Sequence, residues 1–167
     1  MKRIVVILIA LIVATNVNAQ ENSQSEDLNA RIDSLTTKLN QLQHDFDFLD
    51  CQYKIDNLRN NINELAVSLE TKSNSISLNT HQREYFSPLY ESYKRYYDAI
   101  IERLNAQKSN VEQLKALLFL KLFTSNFTEK ERELLKSSMN VLDNAMTSAE
   151  ASLSLFKAAL DRYKSLD

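Results

Sequence analysis

Glycine is absent from this chain, and proline occurs once, at Pro88. Glycine ordinarily makes up about 7% of a protein. β-Hairpin turns and helix C-caps lean on it for positive φ. A fold without it has few tight turns and long elements. Glycine-rich phosphate loops are excluded outright, because their close backbone approach requires the missing Cβ. Cysteine also occurs once, so no internal disulfide can form. In an exported protein the odd residue, Cys51, is either a buried thiol or an intermolecular disulfide.

Chemistry-bearing sets are equally scarce. The two histidines, His44 and His81, stand in no Glu-x-x-His pair of the kind a di-iron bundle requires. No nucleophile motif surrounds any serine. His44, Asp45, Asp47 and Asp50 cluster on the first helix, but zinc wants three or four tightly spaced ligands, and the group reads as a solvated acidic face. The sequence therefore offers no catalytic, cofactor-binding or metal-ligating residues, and the expectation is a protein that is not an enzyme. An excess of positive charge is missing too: 20 Lys and Arg face 22 Asp and Glu. That balance argues against nucleic acid, which needs a basic footprint.

What is present begins with an export signal. Lys2 and Arg3 precede an unbroken apolar run over 4–14, and Val17-Asn18-Ala19 offers small residues to a signal peptidase. The cut is expected after Ala19, leaving 20–167 as one helical domain. The apolar run rises only about 16 Å as a helix, short of the ~30 Å hydrocarbon core, so it reads as a cleaved signal rather than an anchor. No later stretch is apolar enough for long enough to span a membrane. The expected location is the periplasm or the cell exterior.

Beyond the signal, apolar residues recur at alternating steps of three and four, the spacing that keeps them on one side of an α-helix. The clearest case is the third helix, expected over 128–166. Its stripe is Leu135, Met139, Leu142, Met146, Ala149, Leu153, Phe156, Leu160 and Tyr163. Leu134, Val141 and Leu155 broaden it on one flank, while Ser138, Ala145, Ser152 and Ala159 line the other with small side chains. Such a stripe cannot be buried by one helix alone.

The first helix, expected over 26–72, carries two stripes. One is Leu28, Ile32, Leu35, Leu39, Leu42, Phe46, Leu49 and Tyr53, all at heptad positions. The other is Phe48, Cys51, Ile55, Leu58, Ile62, Leu65 and Leu69. They are offset by two residues, about 200° around the helix, so the overlap at 46–55 demands either a change of packing partner or a break. The Ser/Asn/Thr-rich stretch 73–79 reads as a loop. The second helix, expected over 80–124 and bent at Pro88, carries Phe86, Tyr90, Tyr93, Tyr97, Ile100, Leu104, Gln107, Val111, Leu114 and Leu118 on its seam. Between the second and third helices, Thr128 and Glu131 form a capping box.

These elements predict an all-α fold: an elongated antiparallel three-helix bundle with coiled-coil-like seams, since short links make neighbouring helices antiparallel. The rival is a helical hairpin that completes its core by dimerising. Two surfaces stand out as candidates for interaction. One lies beside a tyrosine cluster, with Tyr85, Leu89, Arg95 and Tyr96, because aromatic and Arg side chains are favoured at binding hot spots. The other is the apolar end of the second helix, with Leu117, Leu120, Phe123 and Phe127. The function expected is that of an exported protein-interaction or structural protein of the cell envelope, with a protein partner or self-association and no cofactor. The alternative is a small binding module or chaperone-like holdase that uses the tyrosine cluster.

Overall fold

A computed structural model describes residues 22–79 and 86–164, with the side chains of 27–77 and 89–164. The signal expected at 1–19 and the short helical stretch expected over 80–85 lie outside the described residues. Three α-helices make up the described chain: α1, Asn22–Asn79; α2, Phe86–Thr124; and α3, Glu129–Lys164. The chain divides into two compact units, Met1–Gln43 and His44–Asp167. In the first, the described residues are the helical start of α1, where Arg31 pairs with Asp27 one turn away at 3.1 Å. The second is an antiparallel three-helix bundle. Among its described residues no polar or charged side chain is buried.

α1 enters that core by the second of its two stripes. Cys51, Ile55, Leu58, Ile62, Leu65 and Leu69 are all 8% exposed or less. The helix is continuous through 46–55, so no kink re-aims one stripe into the other. The expected loop at 73–79 is corrected as well, because α1 continues to Asn79. Ile76, two turns beyond Leu69, is as deeply buried as the rest of the stripe, and packing carries the helix on. The polar residues comply by back-bonding: the hydroxyls of Thr71, Ser75 and Ser77 donate to the carbonyls of Val67, Thr71 and Ser73 at 2.8, 2.9 and 3.2 Å. Hydroxyls satisfied in this way no longer favour a turn.

α2 begins at Phe86, which places Pro88 in the first turn, where the backbone N–H it lacks has no intrahelical partner anyway. Tyr93, Ile100, Leu104, Val111, Leu118 and Leu122 are buried along its seam. The α3 seam goes inside as its spacing requires, with Leu135, Leu142, Ala149 and Phe156 fully buried. Of its two flanks, the larger one departs from the expectation, since Leu134, Val141 and Leu155 remain exposed rather than broadening the buried stripe. The small-residue file faces inward, as the spacing suggests, with Ala145 buried and Ala159 packed on the core. Small side chains let a neighbouring helix approach, whereas a file of larger ones there holds it off.

Ion pairs record the direction of packing. Lys108 meets Glu150 at 2.8 Å, and Lys115 meets Asp143. Seven residues forward along α2 correspond to seven back along α3, as only antiparallel helices allow. Lys121 on α2 reaches Asp47 and Asp50 on α1, at 3.3 and 3.7 Å. The α2–α3 link closes on the capping box. The Thr128 backbone N–H donates to Glu131 Oε2 at 2.8 Å, and the Glu131 N–H donates back to Thr128 Oγ1 at 3.3 Å. Arg132 adds a bond from Nε to the Phe127 carbonyl at 3.0 Å. Thr128→Ala removes the reciprocal cap and is expected to cost about 1 kcal/mol, read as a lowered urea midpoint with an unchanged slope.

Candidate functional site

The surface question turns on which apolar residues the bundle leaves outside. On α1 the first stripe does not enter the core. Leu35, Leu39, Leu42, Phe46, Leu49 and Tyr53 are 36 to 69% exposed. Leu28 and Ile32 continue it and are partly exposed. Where the two stripes overlap, at 46–55, the helix has two apolar faces about 200° apart and turns the second toward its neighbours; before Phe48 only the first stripe is present.

At the end of α2 the apolar run divides. Leu118 and Leu122 are buried, while Leu117, Phe119, Leu120 and Phe123 are 40 to 71% exposed. The rings of Phe119 and Phe123 meet at 4.8 Å. Phe119 and Leu120 border an open groove toward Met139 and Asn140 on α3. Of the residues expected at this surface, Leu117, Leu120 and Phe123 are there. Phe127 is a correction: it is 4% exposed. Its ring packs edge-on against His44 and Phe48 of α1, at 5.8 and 5.9 Å. It immediately precedes the Thr128 cap, and its carbonyl is held by Arg132, so the chain delivers its side chain into the bundle.

The tyrosine cluster is mostly packing. Tyr93 is buried edge-on to Tyr163 at 6.1 Å. Tyr96 lies edge-on to Phe156 at 5.8 Å, its hydroxyl hydrogen-bonds the Ser68 hydroxyl, and Lys72 sits over its ring at 5.6 Å. Tyr97 lies against Phe156 as well, and Leu89 packs on the core. With its hydroxyl bonded and its faces covered, Tyr96 is not an open stacking platform. Arg95 is exposed, and its Nε–H donates to the Glu91 carbonyl at 3.3 Å. Tyr85 lies outside the described residues.

Cys51 is fully buried and free. Burial pushes its thiol above the ordinary range. An intermolecular disulfide at this position requires the bundle to open. The acidic group beside it is distributed among cations: Asp50 pairs with Lys54 at 2.8 Å, and Lys54, with Lys121 behind it, lowers the Asp50 carboxyl. Among the described residues, no three His, Cys, Asp or Glu side chains are placed to hold a metal ion, and no helix is long and apolar enough to cross a membrane.

His44 is the titrating contact between helices. Nδ1 faces Asp45 Oδ1 at 3.3 Å, and Nε2 faces Glu131 Oε2 at 3.2 Å. The Asp45 hydrogen bond first, then the Glu131 charge, raise the imidazole above its ordinary value, against the opposing effect of burial. A raised folded-state value means the proton is held more tightly in the folded chain. The stabilisation is therefore complete below about pH 6.5 and is lost as pH rises through the raised value. Glu131 is shifted the other way, chiefly by the Thr128 hydroxyl, so its own contribution is lost only on acidification. The unaltered chain is therefore expected to lose melting temperature between pH 6 and 8, and His44→Gln to remove that decline.

Neither Phe119 nor the first α1 stripe stands among the surface residues expected from sequence. The signal for the stripe was its two-residue offset from the second, which leaves one of the two without a neighbour. Against family models, curated proteins and solved structures, the chain finds no match. Fold and surface together define an all-α three-helix bundle that satisfies its own core and keeps a heptad stripe exposed.

Proposed function

We propose that this chain is an exported, non-catalytic protein-interaction or structural protein of the cell envelope, and that the exposed α1 stripe is the surface it uses. The observation that carries this reading is that stripe: apolar at every heptad position from 28 to 53, with Leu35, Leu39, Leu42, Phe46, Leu49 and Tyr53 exposed. Soluble proteins seldom leave large contiguous apolar patches exposed without a partner for them. The sequence supplies the remaining support. The 1–19 segment has the form of a secretory signal, and the chain carries no nucleophile motif or glycine-rich loop. The mild negative charge disfavours nucleic acid as the partner.

The test compares the unaltered chain with Leu35→Gln, Leu42→Gln and Leu49→Gln combined. Crosslinking in the native envelope fraction should trap the unaltered chain in a complex and leave the triple variant alone. Both should melt alike when dilute. Equal crosslinking of the two would remove the stripe from the reading.

A further inference from the structure

We propose that His44 is a pH-dependent fastener of the α2–α3 corner. As the imidazolium it bridges two carboxylates and ties the cap of α3 to α1. On losing a proton it gives up Asp45, weakens its hold on Glu131 and lets the corner open locally while the bundle stays folded.

The geometry asks both ring nitrogens to donate. Nδ1 faces Asp45 Oδ1 at 3.3 Å, from the next residue of α1, and Nε2 faces Glu131 Oε2 at 3.2 Å, from α3. Ionised carboxylates only accept, and a neutral imidazole has one N–H and one lone pair. Only the imidazolium serves both. Asp45 and Glu131 are the charged groups that face the ring. From the α2–α3 link the ring is met by Phe127, edge-on at 5.8 Å. Lys121, the cation that α2 sends to α1, goes to Asp47 and Asp50 instead.

The two carboxylates differ in how easily they let go. The Asp45 side chain is 52% exposed and can turn to water. The Glu131 side chain is 21% exposed. Its Oε2 already accepts the Thr128 backbone N–H at 2.8 Å and the Thr128 hydroxyl at 2.7 Å, so it cannot turn away without giving up the cap. As pH rises, the proton therefore passes from Nδ1 to water, and Nε2 keeps its own. Asp45 is released. The bond to Glu131 remains but loses the attraction between opposite charges.

That one Glu131 oxygen joins the α3 cap to α1, so what loosens is the corner. Phe127 stands just before the cap, buried against His44 and Phe48, with its carbonyl held by Arg132. The other end of the bundle is held by ring contacts, Tyr93 with Tyr163 and Tyr96 with Phe156. Among the described residues His44 is the only histidine, so nothing there changes charge over the same range.

Two measurements on the full chain test the proposal. In nitrogen-15 spectra the His44 ring, assigned by its loss in His44→Gln, should be protonated on both nitrogens at about pH 5.5 and on Nε2 alone at about pH 8.5. A neutral ring protonated on Nδ1 overturns the proposed proton path. Native-state hydrogen exchange, corrected for base catalysis, should show the Ser125 and Arg132 amides, which bond the Lys121 and Thr128 carbonyls, opening about fivefold more often at the higher pH. That opening should be insensitive to small additions of urea, as local fluctuations are. If it follows urea as steeply as the Phe156 amide, the corner opens only with the bundle and the fastener is refuted. His44→Gln should abolish the pH dependence, and a variant that retains it also refutes the role of His44. Asp45→Asn should open at the higher pH as often as the unaltered chain, because Asp45 has already let go there; a clear difference would show that Asp45 still holds the neutral ring.

Discussion

Phe156→Ala is expected to destabilise the bundle by about 3 to 5 kcal/mol. Phe156 is fully buried in the C-terminal half of the α3 seam. Its ring is met edge-on by Tyr96 at 5.8 Å and at a tilt by Tyr97 at 5.9 Å. Truncation forfeits the transfer free energy of the ring and leaves a cavity that long helices close only in part. Tyr96 is itself tied to Ser68 on α1, so the void loosens the place where all three helices meet. A domain of this size has about 5 to 15 kcal/mol in total, and the loss is a large share of it. Urea unfolding followed by circular dichroism should show a much lower midpoint. A shift worth less than about 1 kcal/mol would mean that Phe156 is not a core residue.

The second large effect separates the two α1 stripes. Ile62→Ala is expected to cost about 2 to 5 kcal/mol, because Ile62 is fully buried. Leu42→Ala should stay within about 0.5 kcal/mol, because Leu42 is 65% exposed and alanine is the better helix former. Both substitutions shorten an aliphatic side chain at a heptad position of the same helix, so the contrast reads the environment rather than the chemistry. The measurement belongs at submicromolar concentration, where mass action withdraws any contribution from association. Equal losses would place the first stripe inside a core and remove the surface on which the functional reading stands.

Local patterns carried much of this fold. Three-four spacing identified three helices and nearly every buried position of α2 and α3, from Tyr93 to Leu118 and from Leu135 to Tyr163. The Thr128–Glu131 cap was legible because its two side chains need only each other. The lack of glycine pointed to long helices, which the observed lengths of 58, 39 and 36 residues match. Where a local signal was misleading, tertiary packing had overruled it. The Ser/Asn/Thr stretch at 73–79 reads as a loop, but burial of Ile76 keeps it helical.

What only the tertiary structure decided is which faces have neighbours. Periodicity shows which residues share a side of a helix, because that follows from 100° per residue. It carries no information about what lies opposite, which depends on residues tens of positions away. Hence the α1 stripe from Leu28 to Tyr53 and the one from Phe48 to Leu69 look alike in sequence, and only the second is covered. For the same reason Leu134, Val141 and Leu155 stay in solvent while Ala145 goes inside: the closest approach of a neighbouring helix favours the smallest side chain, and that approach exists only once the bundle has formed.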